Sequence, residues 1–581
     1  MISQILIVMI AAIAVTLVAE RRGIQAPLLL ALVGLAGSFI PGLPRLELEP
    51  EIILTVVVPP LLFAAAREFS FVSFMRRLGS ILNLGVFLVA VTTGIVGAVA
   101  ATVVPGMTLA VALVLGAVVS PPDAVTATAI GRKLNLPSSM MTVLKGESLI
   151  NDAAALTFFT FAIASVAGTP LLIPNVVLYL LYASVGGFIL GLLLGAIVHL
   201  IRMRIGDSSL ATVLTVVVPF TAYLLAEQVG ASGVLAVVAA GLSLGHTGSA
   251  TRYDVRIQEQ QFWRTVDALL EAFVFAYIGL QFRWVIADAG EKGFNVAELF
   301  GLSLVVLAAV IVVRIGWVYL TAIFSRWQAR AAADRLAKLD RYIAMSPAER
   351  TAKVEQLERR EGRRGRLAQR LEQAREARTL GGFDLMPAFT WKEDAVISWT
   401  GMRGVVTLAA AAGIPLVTAS GAPFPGRDVI QVVAFTVTIG TLLLQGLTLP
   451  WLIRRLGIAS PKEAAIRSEQ IKLGEQLTRK ATIDAVTVFR DQQTSERPRQ
   501  LAEKMIARYD ARATRAEDPL AEDDGGELHA LAAAIITARR AALVQARDNR
   551  LLGDEVMREM LEQMDFEQAV MENWTPARFG G

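Results

Sequence analysis

The feature that most constrains this chain is a recurring one: apolar runs long enough to cross lipid hydrocarbon, which takes about 20 residues of helix. They fall at about 3–20, 24–40, 51–66, 80–104, 108–131, 141–167, 175–201, 210–227, 232–246, 265–286, 297–325, 395–417 and 428–453. Inside a bilayer no water satisfies backbone N–H and C=O groups, so each run has to be a helix. The expected fold is therefore all-α and polytopic, with about thirteen transmembrane helices. The first run has no basic residue ahead of it and no small-residue cleavage site, so Met1 to Ala19 reads as a retained span rather than a signal peptide.

Charge sets an orientation. The pI near 9.3 does not call for nucleic acid, because basic loops gather on the cytoplasmic side of membrane proteins. If the basic C-terminus is cytoplasmic, thirteen spans put the N-terminus outside. The inner loops then hold Arg21, Arg22, Arg67, Arg76, Arg77, Arg132, Lys133, Arg202, Arg204, Arg252, Arg256 and Arg264. The outer loops hold only Arg45, Arg283, Lys292 and Arg427. This bias supports a multi-pass protein of the cell inner membrane, with a transport domain over 1–325 and 395–458. Residues 326–394 form a polar insertion with sixteen Lys/Arg and eleven Asp/Glu; Ser346-Pro347-Ala348-Glu349 marks a helix start there, which predicts a cytoplasmic hairpin. Residues 459–581 read as a cytoplasmic helical tail. It should be interrupted at Asp518-Pro519 and Gly525-Gly526 and carry an amphipathic stripe of Leu528, Leu531, Ile535, Ala538 and Ala542. The tail suits dimer contacts or an unknown regulator.

Two spans are broken. Ser120-Pro121-Pro122-Asp123 interrupts the fifth, since proline removes backbone donors and clashes with the preceding turn. Thr400-Gly401-Met402-Arg403-Gly404 interrupts the twelfth. Five and twelve differ by seven, the spacing of an inverted repeat of spans one to six and eight to thirteen. Paired breaks in corresponding positions point to the substrate site of a secondary transporter. Half-helix ends carry about half a charge each, which Asp123 and Arg403 are placed to neutralise; Asp123 as a simple cap of the second half-helix is compatible with this, and so is Asp123, with Asn151, as part of the ion- and proton-binding site.

Gly146-Glu147-Ser148-Leu149-Ile150-Asn151-Asp152 opens a span otherwise apolar enough for lipid. Ionisable groups at such depth mark functional sites. Glu147 and Asn151 share one helix face, Ser148 and Asp152 the next. Arg314, the basic residue well inside the eleventh span, is assigned to Glu147 as a structural ion pair. That leaves Asp152 to exchange partners. Its carboxylate, the Ser148 hydroxyl and carbonyls freed near Pro122 offer oxygens to a monovalent cation. Desolvation favours a buried carboxyl in its protonated form, so cation and proton compete for one group. Among other polar residues, Glu227 reads as interfacial, Asp267 and Glu271 as lining a cytoplasmic funnel, and His199 and His246 as solvated. Gly186-Gly187, Gly191 and Gly195 suit close packing at a dimer seam.

These motifs resemble the monovalent cation:proton antiporters, in particular the bacterial NhaP-type sodium/proton antiporters and the animal sodium/proton exchangers. The resemblance rests on Glu147 to Asp152, the break at Ser120 to Asp123, Arg314, Gly401 to Gly404, and Pro59-Pro60-Leu61-Leu62-Phe63; Arg550 to Met571 is similar to the tail of a bacterial subgroup. It implies that Asp152 binds Na+, that Asn151 marks the electroneutral class, and that Glu147 and Arg314 form a buried pair. Many relatives carry Thr-Asp where this chain has Pro122-Asp123, and an acid where it has Ala64, so Na+, Li+ and K+ stay unranked. The expected function is exchange of one cation, Na+ foremost, for one proton, with a K+/H+ antiporter as the alternative and a cation channel further off. With no cysteine and three scattered histidines, and with no P-loop lysine, HExxH or GxSxG, neither an enzyme nor a cofactor is expected. The partners are the lipid bilayer and a second copy in a homodimer.

Overall fold

A computed structural model describes residues 2–22, 25–41, 48–69, 71–104, 106–168, 173, 175–248, 251–291, 295–344, 349, 389–458, 461–492, 496–510, 525–549 and 551–574. Among these residues the chain is helical, with one isolated bridge between Val417 and Pro423. The helices are α1 (Ile2–Arg22), α2 (Ala26–Gly37), α3 (Pro50–Glu68), α4 (Phe71–Leu82 continuing to Leu88–Val103), α5 (Leu109–Val119), α6 (Val125–Lys133), α7 (Ser138–Ala167), α8 (Val176–Arg202), α9 (Ser208–Gln228) and α10 (Gly233–Thr247). There follow α11 (Tyr253–Glu291), α12 (Val296–Ala344), α13 (Trp391–Trp399), α14 (Val405–Ala412) and α15 (Arg427–Leu456). The tail contributes α16 (Pro461–Gln492), α17 (Glu496–Asp510), α18 (Gly525–Asp548) and α19 (Asp554–Trp574).

Nine of the described helices are long and apolar enough to cross a membrane, and α2, α5 and α10 are shorter apolar helices. Twelve of the expected runs fall on these helices and the run at 395–417 falls on the short helices α13 and α14, while the count of thirteen is not fixed by length and hydropathy. Two spans contain a π-helical turn, at Ile53–Val57 in α3 and at Asn83–Phe87 in α4. The first has a covalent cause: Pro59 and Pro60 lack N–H groups and crowd the carbonyls one turn back, and a wider turn absorbs the misfit.

Contacts divide the chain into Met1–Val310 with Met402–Gly581, and Ile311–Gly401. In the first unit glycine decides where helices approach. A Cβ at Gly34 would lie 2.6 Å from the Ala276 carbonyl, and one at Gly279 2.5 Å from that of Ala31, so α2 and α11 touch backbone to backbone. The stripe expected at a dimer seam is used in the same way. Cβ atoms at Gly187 and Gly191 would overlap the carbonyls of Ser232 and Ala236, and one at Gly195 would lie 2.7 Å from Ser243 Oγ. The stripe therefore holds α8 against α10 of its own chain. The outward side of α8, with Leu178, Leu181, Val185 and Leu193 exposed, is apolar as a lipid-facing surface must be.

Basic residues expected on one side of the membrane meet at one end of this unit. Glu259 is 1% exposed and accepts from Arg67 and, at 3.1 Å, from Arg202, whose Nη2 also reaches Thr251 Oγ1 at 2.6 Å. The tail docks at the same end. Asp565 of α19 pairs with Arg256 and, at 2.6 Å, with Arg540, and Arg558 donates to the Glu68 and Phe69 carbonyls at 3.4 Å. At the other end Arg283 donates to the Ser38 carbonyl at 3.1 Å and lies over the Phe39 ring. Arg45 and Lys292 lie outside the described residues.

The tail core is Ile536, Leu543, Ala546, Leu552, Val556, Met557, Leu561 and Met564. Helix α18 buries the expected Leu531 beside Val486 and Ala502, with the expected Ile535 packed against that cluster, and buries Ile536, Leu543 and Ala546 in the core above, one step round from Ala542, because α16 and α19 share its apolar face. Gly525-Gly526, expected as a break, starts α18; Asp518-Pro519 lies outside the described residues.

In the second unit the boundary expected after Ser325 is not a break, because α12 continues to Ala344. Arg326 pairs with Asp394 and donates from Nε to the Phe389 carbonyl at 3.3 Å, so the two ends of the insertion are pinned together. Ser346-Pro347-Ala348 and the hairpin turn expected there lie outside the described residues.

Candidate functional site: two helix breaks and a carboxylate

Helix α5 stops at Val119 and α6 starts at Val125, leaving Ser120 to Ala124 outside helical geometry; α13 stops at Trp399 and α14 starts at Val405. The breaks meet. The Asp123 N–H donates to the Met402 carbonyl at 2.6 Å, and a Cβ at Gly404 would overlap the Asp123 carboxyl. Glycine at 404 is thus required for this approach.

Charges sit at the exposed helix ends. Arg403, 1% exposed, donates from Nε to the Val119 carbonyl at 2.9 Å and from Nη2 to that of Ser120 at 3.3 Å, covering the negative end of α5. Its backbone N–H donates to Thr441 Oγ1 at 3.0 Å. Asp123 accepts from the Val125 N–H at 2.8 Å and lies against the start of α14, so one carboxylate serves two positive helix ends. In the second unit, Arg314, 2% exposed, donates to the Ile397 carbonyl at 3.0 Å, which covers the negative end of α13.

Helix α7 brings the acidic stretch to the first break. Asn151 Nδ2 donates to the Pro122 carbonyl at 2.8 Å, and Ser148 Oγ accepts from the Ala124 N–H at 3.3 Å. Asp152 makes no hydrogen bond or ion pair among the described residues and is half-buried. Its charge interacts with that of Asp123. Glu147, on the helix face it shares with Asn151, is 2% exposed. Two acids of α11 continue the line: the charge of Glu271 interacts with those of Asp123 and Asp267, and Glu271 Oε1 is buried with no hydrogen-bond partner among the described residues.

The structure therefore brings Asp152, Ser148, Asn151, Pro122, Asp123 and Arg403 to one place, with Arg314 at a helix end of the second unit. Sequence reasoning missed Thr441, although Thr438, Thr441 and Gln445, all fully buried, recur at helical spacing in α15 and could have signalled a polar face. It also missed the π turn of α4, where Gly85 lets the backbone approach Ile150 and the Asn151 N–H; a Cβ there would lie 2.9 Å from Ile150 Cγ2.

The family model for the transmembrane sodium/hydrogen exchanger matches residues 6–346 and 376–455. The chain belongs to this family. It is a membrane-spanning cation/proton antiporter, and the Ser120–Asp123 break, α7 and the Met402–Gly404 break all lie within the matched residues. An uncharacterized Na+/H+ exchanger of Mycobacterium tuberculosis is 29% identical over 97% of this chain and 95% of its own length. The sodium, potassium, lithium and rubidium/H+ antiporter of Bacillus subtilis is 26% identical over 77% of this chain and 60% of its own. Among solved structures, the sodium proton antiporter MjNhaP1 of Methanocaldococcus jannaschii superimposes with a TM-score of 0.56 at 17% identity, over 79% of this chain and 99% of that one, which is a likeness of fold.

Proposed function

We propose that this exchanger moves one Na+, with Li+ accepted as well, against one proton, and that the two compete for Asp152. One observation carries the reading. Where Asn151 and Ser148 are engaged with the broken backbone, Asp152, on the same stretch of α7, is a carboxylate with no hydrogen bond or ion pair among the described residues. A bare carboxylate out of bulk water needs a counter-charge, and a cation or a proton supplies it. Ser148 Oγ and the carbonyls of the unwound segment are the further oxygens within its surroundings.

Electroneutrality follows from a charge match. Two helix N-termini carry about half a positive charge each, and the Asp123 carboxyl lies against both as their partner. With Asn151 neutral and Asp123 held at the helix ends, Asp152 is the group at the break that titrates. Asp267 and Glu271 form an acidic approach that raises the local cation concentration. The protein sits in the inner membrane with its N-terminus outside and its tail in the cytoplasm, as a homodimer whose seam lies on outward apolar faces rather than on the glycines of α8.

K+/H+ exchange is the second reading, since the B. subtilis relative is named for potassium alongside sodium, lithium and rubidium. Dequenching of a pH dye in proteoliposomes, with Na+, Li+ and K+ added in turn at several imposed potentials, separates the readings. We expect Na+ and Li+ to collapse the pH gradient at rates independent of potential. A response to K+ alone selects the second reading, and a clear potential dependence contradicts the single-carboxylate scheme.

A further inference from the structure

Where the tail docks, an open cavity of about 320 Å3 lies between the ends of the transport helices and helices α18 and α19. Its lining holds seven Lys/Arg against three Asp/Glu. Some of these cations are already matched: Arg67 by Glu259, Arg256 by Asp565, Arg547 by Asp554. Arg132 and Lys145 make no ion pair among the described residues, and Arg264 is held loosely, 3.6 Å from Glu68 and 3.7 Å from Glu562. Docking of α19 adds Arg558, paired with Asp554 at 3.0 Å, to the same wall through the Glu68 and Phe69 carbonyls. Like charges converging on a concave, partly dehydrated space repel one another, and a fold that assembles them there is complete only with an anion inside.

We propose that this cavity is a binding site for a small phosphate-bearing anion of two or more negative charges, which locks the tail to the transport helices. Guanidinium forks and an ammonium are the groups that phosphate oxygens match, and the volume takes phosphate groups with a small organic part, not a peptide. The site reaches the transport machinery directly. Arg132 ends α6, the half-helix that begins beside Asp123, and Lys145 lies on α7 seven residues, about two turns, ahead of Asp152. An occupant therefore ties both helices to the tail.

The test uses the full chain purified in detergent, with ATP and inorganic pyrophosphate as soluble probes and cardiolipin against phosphatidylcholine in nanodiscs as the lipid arm. The readouts are melting temperature and retention of labelled probe, so neither depends on exchange activity. We expect saturable stabilisation by one arm, none by chloride at equal ionic strength, and at least tenfold weaker binding in the Arg132→Gln, Lys145→Gln double variant. A soluble probe that binds identifies a free organic phosphate; cardiolipin acting alone identifies a lipid headgroup. Without ligand the double variant should melt no lower than the wild type, because a repulsion has been removed. No stabilisation in either arm, unchanged binding by the variant, or a lower melting temperature of the unliganded variant would each overturn the proposal.

Discussion

At the scale of the residue, the site is a division of labour among neighbours one helical turn apart. Asn151 spends its amide on the Pro122 carbonyl, which fixes the broken segment beside Asp152. Removing that donor strands a buried carbonyl, at a cost of about 1–3 kcal/mol. Asn151→Ala should therefore melt several degrees lower and bind Na+ more weakly, read from the cation dependence of dye dequenching; an unchanged cation affinity would remove Asn151 from the site. Asp123 makes a different prediction. As counter-charge to two helix ends it should tolerate neutralisation poorly for stability but not for coupling: Asp123→Asn is expected to lose stability and to keep exchange electroneutral. How much of this was legible depends on the physics of each residue. An acid and an amide at helical spacing inside an apolar run stand out because burial of such groups is expensive, so Glu147 to Asp152 could be read directly. One acceptor of Arg314, the Ile397 carbonyl, lies 83 positions away in sequence, and no local pattern encodes such a distance.

At the scale of the element, helix breaks were legible where covalent chemistry forces them. Prolines at 121 and 122 end α5, and glycines at 401 and 404 allow the chain to pass from α13 to α14. The π turn at Asn83–Phe87 contains no proline and was invisible, because it follows from the approach of α4 to α7 rather than from its own residues. The glycines of α8 show the same limit: their spacing announced close packing, but not that the partner would be α10 of the same chain. Gly404 is the sharpest test of an element-level constraint. Any Cβ there meets the Asp123 carboxyl, so Gly404→Ala should force the two breaks apart and abolish exchange while the protein still inserts and purifies intact. Wild-type exchange by Gly404→Ala would show that the crossing is not needed.

At the scale of the whole molecule, the tail is joined to the transport helices by long-range ion pairs, and no periodicity in either part announces them. Asp565, 4% exposed, serves Arg256 and Arg540 at once. Leaving buried charges unpaired costs about 3–5 kcal/mol at full burial, less for arginines as exposed as these. Asp565→Ala should free the tail to limited proteolysis between α15 and α16 without removing exchange, and an unchanged digestion pattern would deny Asp565 its anchoring role. The account as a whole turns on one carboxylate shared by two ions. Its most direct measurement is Na+-driven proton movement in proteoliposomes containing Asp152→Asn, with correct folding checked by melting temperature. The account predicts no exchange at any pH or Na+ concentration; a folded Asp152→Asn protein that still couples Na+ to proton movement would contradict it.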